Sequence, residues 1–403
     1  MKPSAKAATS SVPEPDLGAA LERVMELMAI PGTSGDEGRV VDYLVNALRR
    51  AGAPAEAIAS DDVHTRSPLG GKVGNLIFTL PGTLRRPRRL LMAHMDTVPL
   101  CVGSKPKRSG EQVRSADPAT GLGADDRAGC AVVLTAALEI LRRKLPHPPV
   151  VFFWPVQEEV GLFGAHFARL GLLKKPKLAF NWDGGAADKL TVGATGAFRI
   201  GIEIEGLASH AGGAPEYGVS AIAIAGLAIA ELQQDGWLGD VHRGKRQGTS
   251  NIGVIQGGAA TNVVTDRVTL KAECRSHNRR FRREILTAIE QAFERAAGRV
   301  RNVSGVTGKV RMSSRLDYEA FRLADREPCV LAAEAAVGGV VGEPLRAITN
   351  GGLDANWLTA RGIPTVTLGC GQRQVHTTSE QLDLPAFRQA CRIALRLATA
   401  TEG

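Results

Sequence analysis

The run VVFFW at residues 150–154 is five large apolar residues without a break, closed by Pro155. A strand with one wet face alternates apolar and polar side chains. An unbroken apolar run of strand length belongs instead to a strand covered on both faces, as in a parallel sheet flanked by helices. Just beyond the run stand Glu158 and Glu159, side by side. Two carboxylates at the end of a buried strand raise each other's pKa unless a cation or a shared proton holds them. The remainder of the chain has to supply one or the other.

The pattern around this strand alternates. DLGAALERVMELMAI reads as an amphipathic helix, and PGTSGDEGRVVDYLVNALRRAG as a capped turn and a second helix. GNLIFTLPG and RRLLMAHMDTV read as strands, DRAGCAVVLTAALEILRRK as a helix, GAHFARLGLL as a further helix and KLAFNWDGG as a strand. Apolar strands alternating with helices predict an α/β domain with a mostly parallel sheet. Near residue 195 the style changes. GAFRIGIEIEGLA alternates strictly, GVSAIAIAGLAIAELQQ is helical, TSNIGVIQGG and VTDRVTLKAECRS are strands, RREILTAIEQAFERAAG is a helix and GKVRMSSRLDY a strand. The order β-α-β-β-α-β is that of a ferredoxin-like α+β domain, and its exposed sheet edges offer pairing surfaces to another subunit. From about residue 320 the α/β style returns, with IPTVTLGCG as a strand and PAFRQACRIALRLATA as the last helix. The expected organisation is a tail over 1–16, a first part of the larger domain over 17–194, an inserted small domain over 195–316 and the rest of the larger domain over 317–403.

Composition narrows the function classes. A chain of 403 residues exceeds one small core. No apolar stretch approaches the length of a membrane span, so no membrane partner is expected. The tail lacks an apolar segment of the secretory kind. Six cysteines lie without CxxC spacing, which points to reduced thiols and a cytoplasmic protein rather than a disulfide framework or a thiolate zinc site. The net charge is +9, with arginines grouped in LRRPRRL (84–90) and in RSHNRRFRREI around 276–285. Aromatics are only 4% and no aromatic-interleaved nucleic-acid motif accompanies these clusters, so they read as solvated basic faces and no nucleic-acid partner is expected.

The metal-capable residues fall at the carboxyl ends of the expected strands, where open α/β sheets bind ligands. LLMAHMD ends with His94 and Asp96, GLGADDRAG carries Asp125 and Asp126 into a helix, FFWPVQEE ends with Glu158 and Glu159, LAFNWD ends with Asp183, and VTLGCGQRQVH leads to His376. Each alone has an ordinary explanation, such as a strand-end histidine or a turn aspartate. Converging at one edge, so many carboxylates would destabilise one another without a counter-charge. Two divalent metals resolve this. Imidazole and carboxylate without thiolate suit Zn²⁺, and also Co²⁺ or Mn²⁺. His94 and Asp96 are two apart and point the same way on an extended segment, so one can ligate while the other orients the imidazole. Adjacent Glu158 and Glu159 point apart, which favours one ligand and one general base for the attacking water. Asp125 or Asp126 is the candidate to bridge two metals.

Taken in order, HMDTV, GLGADDRAG, PVQEEVGLFGA, NWDGG, ASHAGGAPEYGVSAI and VHTTSE resemble the co-catalytic zinc peptidases that include peptidase T, glutamate carboxypeptidase and aminoacylase. The resemblance runs from about residue 17 to the end. It implies a zinc-peptidase catalytic domain with a ferredoxin-like lid and dimerisation domain, and a homodimer through that lid. By motif it implies His94, Asp125 and Asp183 on one metal, Asp125, Glu159 and His376 on the other, Glu158 as general base and Asp96 as the residue orienting His94. It implies that His210 in ASHAGGAP polarises the scissile carbonyl, that Arg275 in AECRSH clamps a substrate carboxylate, and that Asn262 in ATNVVTD contacts substrate. Gly351 and Gly352 in NGGLDAN match a loop whose backbone approaches it. Arg127 stands where many members have Lys. Aspartate at 183, GADDRAG and SHAGGAPEYGVSAI lean towards the peptidase T-like branch. The expected function is therefore an aminopeptidase for short peptides of tripeptide size, with a carboxypeptidase or N-acyl-amino-acid hydrolase using the same site as the alternative.

Overall fold

The computed structural model describes residues 14–399. Residues 1–13 of the expected tail lie outside the described residues, whereas Glu14 and Asp16 are tied into the fold. The backbone carbonyl of Glu14 accepts from Arg143, and Asp16 caps the first helix, Leu17–Ala29, by accepting from the Ala19 amide. The chain divides into two compact units, 14–193 with 322–348 and 353–399, and 194–321 with 349–352.

The first unit is built on a mixed sheet that includes, in spatial order, Ile58–Ser60, Leu76–Leu80, Val150–Trp154, Arg89–Met92, Leu178–Trp182, Thr365–Leu368 and Lys189–Ala194, with Phe321–Arg322 and Leu345–Thr349 also paired at its far end. The middle four pair parallel. The flanking strands on both sides pair antiparallel. This places VVFFW inside the sheet with every residue buried, the environment its unbroken apolar run demands. The rings of Phe78, Phe152 and Trp154 stack in sequence on one face, with centroids 5.7 and 6.3 Å apart. Val151 and Phe153 turn to the other face, where they pack with Leu90, Met92, Ala165 and Leu358. The helix Ala124–Arg143 is buried along almost its whole length, packed against the helices Leu17–Ala29 and Leu384–Thr399. A helix enclosed on all sides has no polar stripe to show, and its run of Ala, Val, Cys and Leu fits that place.

Register carries the fold to the site. Met92 pairs with Phe153 on one side and Asn181 on the other, and Leu368 pairs with Trp182. The four parallel strands therefore end at one level. The segments that leave them, carrying His94 and Asp96, Glu158 and Glu159, Asp183, and His376, all start from the same edge.

Some elements differ from the sequence reading. The helix expected over GAHFARLGLL is a short helix, Phe163–Phe167, followed by a separate 3-10 turn, Leu170–Leu173. Asp61 and Asp62 grip Arg169 between them through its amide and its guanidinium. A small antiparallel sheet of Pro106–Ser109, Gln112–Ser115, Gln381–Asp383 and Gln372–Arg373 was not anticipated. Its strands are two to four residues long, too short to display an alternation.

The second unit is an antiparallel sheet in the order Gly239–Arg243, Arg246–Gly257, Arg267–Ser276, Gly196–Glu205, Lys309–Tyr318. The helices Ala221–Gln234 and Arg279–Arg299 pack on one face, around Ile200, Ile202, Ile204, Leu270, Phe281 and Phe293. The expected β-α-β-β-α-β order is present with one extra strand, Gly239–Arg243. That strand forms a hairpin with Arg246–Gly257, and its Gly-bounded, charged sequence hides it from a pattern of apolar alternation. Residues 349–352, which include Gly351 and Gly352, belong with this unit.

Candidate metal centre

The strand-end segments bring seven of the sequence-derived residues together in the first unit: His94, Asp96, Asp125, Glu158, Glu159, Asp183 and His376. Asp125 stands in the middle. One of its oxygens lies 3.2 Å from His94 Nε2 and the other 3.3 Å from His376 Nε2. His376 Nε2 also lies 3.0 Å from Glu159. Donor atoms within 4.8 Å of one another group as His94–Asp125–Glu159, His94–Glu158–Asp183 and Asp125–Asp126–Asp183. These overlapping sets form one cluster, not two separate trios.

Asp126 is the odd member. It is fully buried and already committed, accepting from the amides of His94 (3.1 Å) and Gly129 (3.0 Å) and from Gln372 Nε2 (2.8 Å). Gly129 is required for this approach, because a Cβ there would lie 2.3 Å from the Asp126 carboxylate and 2.4 Å from the Trp182 carbonyl. Of the two aspartates, Asp125 faces the imidazoles and Asp126 holds the backbone behind them. Asp96 has a similar bracing position. Its oxygens accept from the amides of Glu158 (2.9 Å) and Glu159 (3.1 Å) and from the Ser34 hydroxyl (2.6 Å), and one lies 3.4 Å from His94 Nδ1. Glu158 accepts no hydrogen bond on its carboxylate from any described residue, although burial encloses it.

The electrostatics describe a cluster short of positive charge. Burial lifts the Asp183 carboxyl to about 7, reinforced by the charge of Asp125. Burial holds Glu158 well above the usual carboxylate range; the charge of His94 opposes this, while Asp183 and Glu159 add to it. Burial also raises Glu159, against the hydrogen bond from His376. Asp125 goes the other way: burial raises it, but His376 and His94 more than reverse that. Burial pulls His94 down, yet Glu158, Asp125 and Asp96 together hold it well above an ordinary histidine. Hydrogen bonds to Asp125 and Glu159 raise His376 to about 10. Carboxyls forced towards the neutral acid, beside imidazoles forced towards the cation, are what a set of oxygen and nitrogen ligands looks like without its cations. The donors fit divalent metals of the Zn²⁺, Co²⁺ or Mn²⁺ type.

Several residues at the site carry no assigned role in the sequence reading. Glu380 lies in the same VHTTSE motif as His376. Its buried carboxylate accepts from the amides of Leu122 (2.8 Å), Gly123 (2.8 Å) and Asp125 (3.0 Å). It thus ties the His376 segment to the loop that carries Asp125. Glu37 accepts from the amides of Gly35 (2.9 Å) and Gln157 (3.0 Å), and burial lifts it to about 7 with help from Asp96. Asp354, in the NGGLDAN motif, is buried with neither oxygen hydrogen-bonded, and burial raises it well above the usual range. Arg127 is fully buried and donates to the Gly32 carbonyl at 3.1 Å; its charge faces Asp96 and Glu37.

The second unit holds the other five sequence-derived residues in two groups. His210 bridges to Val263 in an isolated antiparallel pair, and the Asn262 carbonyl accepts from the Ala211 amide. Arg275 donates to the carbonyl of Asn350 at 3.3 Å, next to Gly351 and Gly352.

Nitrogen and oxygen donors at the carboxyl edge of a parallel sheet, with one carboxylate facing two imidazoles, fit a divalent-metal centre of an α/β protein. Residues 90–400 match peptidase family M20/M25/M40, and the chain belongs to that family. It is 32% identical over 366 residues to the Bacillus subtilis protein YqjE, an alignment covering 90% of this chain and 93% of YqjE. A solved tripeptidase from Staphylococcus aureus superposes with a TM-score of 0.85 at 30% identity, covering 96% of this chain and 99% of the other. The aminopeptidase PepT from Bacillus cereus gives a TM-score of 0.81 at 30% identity, over 96% and 98%. The family and these likenesses make the chain a hydrolase with the fold of peptidase T-like enzymes. No described helix is long and apolar enough to cross a membrane.

Two predictions follow from the charges. Carboxyls raised to about 7, such as Asp183 and Glu37, cost the metal-free fold nothing below the ordinary carboxylate pKa and progressively more as pH climbs through 7. The raised His94 and His376 contribute stability below the ordinary histidine pKa, and it fades as pH climbs towards 10. Both trends have one sign, so the metal-free protein should melt at a lower temperature at about pH 8 than at about pH 5.5. Metal should stabilise it more at the higher pH, because the ligands bind deprotonated. Thermal melts with and without Zn²⁺ check this; a metal-free melting point that rises with pH would contradict it. Second, Glu380→Ala leaves buried amides unsatisfied and frees the Asp125 loop. Metal affinity measured by competition with a chelator should fall about 10- to 100-fold, and unchanged affinity would refute the bracing role.

Proposed function

We propose that this chain is a two-metal aminopeptidase that hydrolyses short peptides of tripeptide size in the cytoplasm. The observation that carries the reading is Asp125, with one oxygen towards His94 and the other towards His376. In the proposed division of ligands, His94, Asp125 and Asp183 hold one cation and Asp125, Glu159 and His376 the other. When bound, two Zn²⁺ ions, or Co²⁺ or Mn²⁺ in their place, supply Lewis acidity towards the peptide carbonyl and lower the pKa of water. Glu158 is the residue left free to move a proton. It takes one from the attacking water as the new C–O bond forms, and delivers it to the leaving nitrogen as the C–N bond breaks. Burial holds the Glu158 carboxyl above the usual carboxylate range, which makes it a stronger proton acceptor than an exposed carboxylate. Asp96 holds the backbone of Glu158 and the Nδ1 side of His94, keeping base and ligand in register.

On the second unit, Arg275 is assigned to the terminal carboxylate of the substrate, His210 to the scissile carbonyl, where a donor acts on developing charge, and Asn262 and the backbone of the Gly351–Gly352 loop to further contacts with the substrate. Asp rather than Glu at 183 and the likeness to a tripeptidase and to PepT support an aminopeptidase over a carboxypeptidase or N-acyl-amino-acid hydrolase. Six buried free thiols support a reducing compartment. The second unit leaves Ile222 and Ile255 about half exposed, at 49% and 53%, and these together with its sheet edges support a homodimer through this unit.

The deciding experiment offers the metal-loaded protein free tripeptides beside N-acetylated and C-amidated forms. Glu158→Gln should cut kcat by at least about 100-fold with both metals still bound. Preference for N-acylated substrates would overturn the aminopeptidase in favour of the acyl hydrolase. Light scattering should return twice the chain mass, and Ile255→Asp should halve it; a monomeric wild type would refute the dimer.

A further inference from the structure

Arg275 does not stand alone on its sheet. Glu273, two residues before it and on the same face of the strand, receives its Nε at 2.8 Å and its Nη2 at 3.0 Å, a bidentate pair. The same carboxylate accepts from Arg199 Nη1 at 2.7 Å, across the sheet in direct register. Arg199 Nε in turn donates to Asp317 at 2.8 Å, and Arg315 approaches Asp317 at 3.4 Å. Asp317 is buried, with 3% exposure. The row therefore runs from a buried anchor through Arg199 and Glu273 to Arg275, across three adjacent strands.

This row fixes what Arg275 has left to offer. A guanidinium has five N–H groups. Two go to Glu273 and one, on Nη1, to the Asn350 carbonyl at 3.3 Å. Among the described residues one donor on Nη1 and one on Nη2 are left without a partner, and donors on the two Nη atoms can meet both oxygens of a carboxylate. The charge also balances in favour of an anion. Arg199, Arg275 and Arg315 against Glu273 and Asp317 make three positive charges to two negative, one short of neutral. The loop beyond Asn350 is seated in the same place, because Gly352 lies flat on Tyr318, where a Cβ would come within 2.6 Å of the ring.

We propose that Glu273 is a positioning residue that aims Arg275 at the terminal carboxylate of a peptide, so that choice of a free C-terminus belongs to the Arg199–Glu273–Arg275 row and not to Arg275 alone. The proposal rests on the reading of Arg275 as the partner of that carboxylate. Its test compares a free tripeptide with its C-amidated form on the full-length, metal-loaded enzyme, and repeats the comparison as peptide binding by calorimetry on Glu158→Gln protein. Glu273→Gln keeps the shape but removes the charge and half of the bidentate pair. The acid-over-amide ratio of kcat/KM should fall roughly tenfold, through KM rather than kcat, with the melting point unmoved. Arg275→Ala should abolish the ratio. If Arg275→Ala abolishes it and Glu273→Gln leaves it intact, the positioning role is overturned and the reading of Arg275 stands. If Arg275→Ala leaves the ratio intact, that reading fails and the proposal with it. Glu273→Asp, which keeps the charge but draws it back by one methylene, serves if Glu273→Gln folds poorly, and should lose the same ratio in part.

Discussion

Crowded negative charge at the carboxyl edge of one parallel sheet is the constraint on which the first unit depends. Strands ending at one level deliver several carboxylates to a small volume, where their mutual repulsion and burial disfavour the charged form. The fold separates them into two kinds. Asp96, Asp126, Glu37 and Glu380 each accept at least two backbone amides. Asp125, Glu158, Glu159 and Asp183 accept none among the described residues. The first kind is stabilised by fixed dipoles and needs no cation. The second has the two imidazoles as its only cationic partners among the described residues, with Gln372 also donating to Asp125 at 3.4 Å, and is left with the charge deficit that metals would fill.

The amides gripped by the first kind belong to segments that carry the second kind or their imidazoles. Asp96 holds Glu158 and Glu159, Asp126 holds His94, Glu37 holds Gln157 next to Glu158, and Glu380 holds Asp125. Each bracing carboxylate holds at least one amide of a segment distant in sequence. Loops are usually the mobile part of a fold, and this cross-bracing fixes the donors before any cation arrives. Preorganisation of that kind lowers the cost of assembling the ligands. It also places Arg127 to effect: a buried cation behind Asp96 and Glu37 offsets charge on the bracing residues without competing for the inner ones.

The parts of this arrangement that were legible in the sequence share a cause. The parallel core was readable because both faces are covered, which leaves an unbroken apolar run at 150–154. His94, Glu158, Glu159 and Asp183 were readable because each stands just beyond an apolar strand run, and Asp125 and His376 because they stand in motifs of their own. Glu37 and Glu380 were not, since a Glu that accepts amides from a distant loop has no periodicity and looks like any surface Glu, and Asp126 was read as a candidate ligand rather than a brace. Glu380 was within reach, standing in a motif already noted for His376, but only three-dimensional contact reveals that its partners are residues 122–125. The extra strand Gly239–Arg243 and the small sheet at 106–115 were hidden for another reason: short, charged strands at edges carry little of the alternation by which strands are recognised.

The second unit handles charge differently, and the difference bears on what its ion pairs do. Its row from Asp317 to Arg275 lies on an open sheet face, with Arg199 about half exposed at 48% and Arg275 at 27%. Pairs so exposed add only about 0–1 kcal/mol to stability, so the row is a poor device for holding the unit together. Orientation is another matter. An arginine carries about 2 kcal/mol of rotamer entropy, and a free one would lose much of it on meeting an anion. A guanidinium already locked edge-on by a carboxylate, itself locked by Arg199 and a buried aspartate, has surrendered that freedom before the anion arrives. The physical value of the row is therefore in the direction of one fork, which is a property of binding and not of folding.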